Sequence, residues 1–148
     1  QKIVWLKTGP WLNQHDTDFF GDSRVTVFGN DVVEPESTAP RWVDKVNNAY
    51  FVDLSNGVVS TPFKEVMEKA DIKTPSQGLQ RVLGKEDLHL FIEETDRGRI
   101  LKLSTRKVVW EYTKTVSKGV ISIFGWSRYL TEDDVKDILP ILKSANCD

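Results

Sequence analysis

The 148-residue chain holds one cysteine, Cys147, and one methionine, Met67. A lone cysteine closes no internal disulfide, so the fold cannot rest on a disulfide framework, and cysteine usage says nothing of redox compartment. Because the chain starts at Gln1 and has no methionine before position 67, it is expected to be a piece of a longer protein. It contains no apolar run near the roughly 18 to 20 residues that span a bilayer, and no basic-then-apolar leader. Positive charge is not in excess: 20 Lys and Arg stand against 22 Asp and Glu, with no dense basic cluster. That balance gives no field for phosphate backbones, so nucleic acid is not an expected partner. Cys/His clusters, phosphate-cradling glycine loops and Gly-x-Ser-x-Gly elbows are also missing. The acidic groups Asp16, Asp18 and Glu93-Glu94-Thr95-Asp96 lack the spacing of a Ca²⁺ loop, so no metal site and no cofactor is expected.

What the chain does have is repetition. Lys2-Ile3-Val4-Trp5 matches Lys107-Val108-Val109-Trp110, Val25-Thr26-Val27-Phe28 matches Leu88-His89-Leu90-Phe91, and Leu54-Ser55 matches Leu103-Ser104. The offset falls from 63 at the second pair to 49 at the third, which places an insertion of 14 residues in the first copy, within Val32–Val46. Loops absorb insertions where strands do not.

Local chemistry marks the elements. Residues 2–6 read as a strand needing a neighbour, since isolated hairpins are marginal in water. Asp16 to Phe20 and Arg24 to Phe28 form a hairpin around Gly21-Asp22, and Asn47 to Asp53 leads into Asn56-Gly57 with Val58 to Ser60 returning. Thr61-Pro62 opens a short helix to Ala70, with Thr61 as its cap. The second copy supplies strands at Leu79 to Leu83, Leu88 to Glu93, Arg99 to Leu103 and Lys107 to Tyr112. Gly119 to Phe124 reads as the first strand of a third unit, and Thr131 caps a closing helix that Pro140 should kink or shorten.

Four-stranded antiparallel units of about 40 to 50 residues are the pattern of β-propeller blades. The predicted fold is therefore all-β, an incomplete propeller with a short C-terminal helix at about 132–143. Its units are about 1–6 (partial), 14–60, 77–113 and 119–130 (partial), in one segment. Exposed sheet edges would be covered by further blades or by a partner chain. A small β-sandwich of the same strands is the alternative.

Two histidines are candidates for chemistry. His89, between Leu88 and Leu90, reads as a packing residue. His15 stands at the start of the first strand of its unit, and the 63-residue offset sets it over Gly78 while Gln14 lies over Gln77. A position held for architecture should look alike in both copies, so His15 points to a site; the bland reading is a histidine hydrogen-bonded to Asp16 or Asp18. Trp11, Trp42 and Trp126 read as packing residues, with Trp42 inside the insertion.

Gln14-His15-Asp16, the strand end Val27-Phe28-Gly29-Asn30, Gln80-Arg81-Val82-Leu83, Gly98-Arg99-Ile100 and Val108-Val109-Trp110-Glu111-Tyr112 together resemble the C-terminal portion of arylsulfotransferase-like propellers. The similarity is read as extending through Trp126-Ser127-Arg128-Tyr129 to the closing helix. It implies transfer of a sulfuryl group from an aryl sulfate to a phenol through a histidine, without a nucleotide cofactor, in an exported protein. His15 is the histidine matching the motif, as nucleophile or as anion binder. A guanidinium fork suits a tetrahedral oxyanion, which singles out Arg81 and Arg128 as substrate-binding candidates. Such sites draw histidines and arginines from several blades, so this piece alone is expected to be inactive. The competing reading is a propeller that has lost the catalytic set and serves as a binding module.

Overall fold

The computed structural model describes residues 2, 3, 5–33, 39–117 and 119–145. Cys147 and Val4 lie outside them. The first part of the chain contributes β1 (Gln14–Phe19), β2 (Arg24–Gly29), β3 (Val32–Val33), β4 (Arg41–Trp42), β5 (Asn48–Asp53) and β6 (Val59–Ser60). Strands β1, β2, β5 and β6 make one antiparallel sheet in that order. Within the insertion, β3 and β4 pair into a two-stranded ribbon.

A single helical turn and a half, α1 (Lys64–Lys69), leads to β7 (Leu79–Leu83), β8 (His89–Glu94), β9 (Arg99–Ser104) and β10 (Val108–Thr113). These four form a second antiparallel sheet in sequential order. The fold class is thus all-β, two four-stranded sheets followed by a ribbon of β11 (Thr115–Ser117) with β12 (Val120–Ile121) and by α2 (Glu132–Ser144).

Period-two alternation explains how both faces of the first sheet are used. Val25, Val27, Tyr50 and Val52 point to one side, where Trp11 covers them. Phe28, Ala49 and Phe51 point to the other and join Leu90, Ile92, Leu101 and Leu103 of the second sheet in the main core. Helix α1 closes that core with Val66 and Met67, and Phe63 stacks on Phe51 at 5.9 Å between ring centres.

The segment joining the sheets is pinned by buried amides. Asn47 donates to the carbonyls of Asn30 and Thr74 at 2.7 and 2.9 Å and accepts from the Thr74 N–H at 2.6 Å. Asn30 donates to Thr74 and Gln77 carbonyls, each at 2.8 Å. Thr74 is buried, so side-chain amides satisfy its backbone groups in place of water. At the far end of α1, buried Glu94 accepts from Arg99 Nε at 2.5 Å, and Arg99 donates to the Ala70 carbonyl at 3.1 Å. Burial pushes the Glu94 carboxyl up, and the Arg99 bond opposes it.

Several expectations are corrected. Among the described residues, Lys2, Ile3, Trp5 and Leu6 form no strand, and Trp5 lines a cavity with Trp11, Gln14, Thr17 and Phe19. Thr61 does not cap α1: the N-cap is Phe63, without a side-chain bond, and Thr61 accepts only through its carbonyl, from Lys64 N–H at 3.1 Å. Gly119 to Phe124 is not one strand: only Val120–Ile121 pair, back onto Thr115–Ser117. Pro140 does not end α2, which runs on through it to Ser144; the helix is exposed and water can serve the carbonyl its ring leaves free. Trp126 is 64 % exposed rather than packed, while Trp11 is buried.

Candidate functional site

Strand β1 carries a bulge. Gln14 opposes Gly29 and Asp16 opposes Phe28, which leaves His15 as the extra residue and re-aims its side chain. The ring turns toward the second sheet, where Nδ1 lies 3.0 Å from the Gly78 carbonyl oxygen. A carbonyl only accepts, so Nδ1 carries the proton and the neutral ring keeps its lone pair on Nε2. The expected partners Asp16 and Asp18 do not hold the ring.

Gly78 can offer that carbonyl because of its backbone. Its φ is +98°, and a Cβ there would stand 2.8 Å from Phe28 Cε1 and 2.9 Å from Thr74 Cγ2. Only glycine fits both demands. The Asn30 and Asn47 amides fix the preceding residues from Thr74 to Gln77, so the position of His15 depends on a network two strands away.

Asp16, next along, accepts from the Gln80 N–H at 2.8 Å and so ties β1 to β7. Burial lifts its carboxyl above the ordinary range, against the pull of that N–H, and Asp18 adds to the rise. The first strands of the two sheets therefore meet at two consecutive residues of β1.

Two cavities open beside this junction. One, of about 240 Å³, is lined by His15, Gln77, Gly78, Glu93, Thr95, Gly125 and Trp126. The other, of about 200 Å³, is lined by Arg81 and Arg128 together with Asp16, Asp18, Phe91 and Tyr129. Trp126 forms a wall of both. Arg81 and Arg128 sit at matching places, Gly78-Leu79-Gln80-Arg81 and Gly125-Trp126-Ser127-Arg128, and both are exposed. Neither enters an ion pair among the described residues. The structure thus brings both arginines to one cavity and His15 to its neighbour.

His89 is elsewhere. It opens β8, with Nδ1 3.2 Å from the Asp87 carbonyl, a turn contact. Sequence reasoning weighed Glu93 only as one of the acidic groups that could meet a cation, not as a buried side chain of this cavity, and it did not single out Asn30 and Asn47 as supports. Asn30 was visible only as the end of Val27-Phe28-Gly29-Asn30, and its role could not be read there.

A family model described as Arylsulfotransferase (ASST) matches residues 1–115. The chain belongs to this family. The match includes His15, Arg81 and Glu93 and ends before Arg128 and α2, so the resemblance read through Trp126–Tyr129 and the closing helix lies outside it. No curated protein and no solved structure matches the chain.

Proposed function

We propose that the intact protein transfers sulfuryl groups from aryl sulfates to phenolic acceptors through His15, and that the two sheets are blades of a propeller whose first strands, β1 and β7, border its channel. The observation that carries this reading is the His15 ring, held through Nδ1 by Gly78 with Nε2 left as the lone-pair nitrogen, beside a cavity bearing two arginines that enter no ion pair among the described residues. A neutral imidazole nitrogen is a competent nucleophile near pH 7. The arginine forks would hold the donor's sulfate oxygens. Nε2 attacks sulfur and the phenoxide leaves; the acceptor oxygen then attacks the same sulfur, the N–S pair returns to Nε2, and over the cycle the acceptor's proton passes to the released phenoxide.

The reading as a binding module without catalysis has one observation in its favour: among the described residues, His15 is the only histidine lining either cavity. Both readings are tested by supplying 4-nitrophenyl sulfate and a phenol to the intact protein and following nitrophenolate release. The transfer reading expects His15→Ala to abolish turnover. Arg81→Ala and Arg128→Ala should each weaken donor kcat/KM by about ten- to a hundredfold, the range for a lost hydrogen bond to a charged group. Equal turnover in wild type and His15→Ala would remove His15 from the mechanism.

A further inference from the structure

We infer that Glu93 is the proton-transfer group of this site, taking the proton of the acceptor phenol and returning it to the departing phenoxide; the inference rests on the sulfuryl-transfer reading above. Glu93 is 2 % exposed and lines the cavity that holds His15. Its Oε1 accepts from the Thr95 hydroxyl at 3.0 Å and its Oε2 from the Ser127 N–H. Both donors are neutral, and among the described residues no cation pairs with it.

The adjacent carboxylate shows how unusual this is. Glu94, 0 % exposed, points to the opposite face of β8 and meets two guanidiniums, Arg99 at 2.5 Å and Arg97 at 3.6 Å. Burying a carboxylate costs stability unless a cation or several donors compensate it. Glu94 therefore meets cations on its face of the sheet, and Glu93 meets none among the described residues. A carboxylate offers about four lone-pair sites, so two accepted bonds leave capacity for a hydroxyl entering the cavity. Trp126, exposed at the cavity wall, presents an aromatic surface on which an aryl ring can lie.

The proton count closes over the cycle. In the first half, the His15 Nε2 lone pair forms the N–S bond, the S–O(aryl) bond breaks, and its electron pair goes to the aryl oxygen. That oxygen receives the proton of the Glu93 carboxyl. In the second half, the acceptor oxygen forms the new O–S bond, the N–S pair returns to Nε2, and the acceptor's proton passes to the Glu93 carboxylate. Donor and acceptor have exchanged one sulfuryl group, and Glu93 is again protonated.

Glu93→Gln keeps an oxygen for the Ser127 N–H and offers nitrogen to the Thr95 hydroxyl, so the fold is expected to persist. The intact protein is given 4-nitrophenyl sulfate and either 4-methoxyphenol or 4-cyanophenol at a pH where the latter is largely phenoxide. The variant should lose about 10²- to 10⁴-fold in acceptor kcat/KM with 4-methoxyphenol and little with 4-cyanophenol. An equal loss with both acceptors, in an enzyme that still depends on His15, would overturn the role of Glu93 alone. Turnover independent of His15, or none in wild type, overturns the underlying reading and Glu93's role with it. If the variant does not fold, wild type in heavy water decides: slowing with 4-methoxyphenol but not with 4-cyanophenol supports proton transfer, and no difference overturns it.

Discussion

His15 and Gly78, separated by 63 positions, are joined by a 3.0 Å hydrogen bond from imidazole Nδ1 to carbonyl oxygen. They are also the pair of positions that the repeat offset superimposes. Equivalent points in the two sheets touch each other, and one supplies a side chain where the other supplies bare backbone. The bulge at His15 and the positive φ of Gly78 are the two local irregularities that let this happen.

Gly78→Ala should therefore be costly. A left-handed alanine adds about 1 to 2 kcal/mol of strain and overpacking against Phe28 and Thr74 about 1 to 3, so a loss of roughly 2 to 5 kcal/mol is expected. Urea unfolding measures it. A variant as stable as wild type would show that the close packing at Gly78 is not tight.

Asp16 makes stability depend on pH in a defined sense. Its folded carboxyl binds a proton more tightly than the unfolded one, whose ordinary value is 3.8. The resulting stabilisation is complete below that value and is lost as pH rises through the raised folded value. Asp16→Asn keeps an oxygen for the Gln80 N–H and removes the titration. Its urea midpoint should fall less than that of wild type between about pH 4 and pH 7; parallel profiles would exclude Asp16 as a source of the slope.

Helix α2 has a capping box in which the Thr131 hydroxyl accepts from the Asp134 N–H at 3.2 Å and the Asp134 carboxylate accepts from the Thr131 N–H at 2.7 Å. It buries no side chain. Thr131→Ala should cost about 1 kcal/mol of helix stability yet leave the cooperative melting of the sheets unchanged. Amide exchange through the first turns of α2 should accelerate, and a lowered global melting temperature would reveal docking of the helix on the core.

The strands were legible because alternation and turn chemistry are properties of neighbouring residues. Val25 to Phe28 alternates between two buried faces, and Asn56-Gly57 turns the chain, whatever lies far away in sequence. The same locality misled at Lys2, Ile3, Trp5 and Leu6, which form no strand, and at Gly119 to Phe124, where only Val120–Ile121 pairs, with Thr115–Ser117. Thr61-Pro62 likewise looked like a helix start, but the chain spends those residues on the preceding turn.

Sequence alone determined the all-β class and the two sets of four strands, and aligning the chain with itself raised His15 as a candidate, an unmatched histidine in an otherwise repeated position. Only the tertiary structure decided that His15 bonds Gly78 rather than Asp16, that Arg81 and Arg128 share a cavity, and that, among the described residues, Glu94 receives cations while Glu93 does not. The last contrast arises because adjacent strand residues face opposite sides of a sheet. One side of β8 is packed against Arg97 and Arg99, and the other opens toward His15. Which side receives which partner is set by how the sheets meet, across separations that no local pattern encodes.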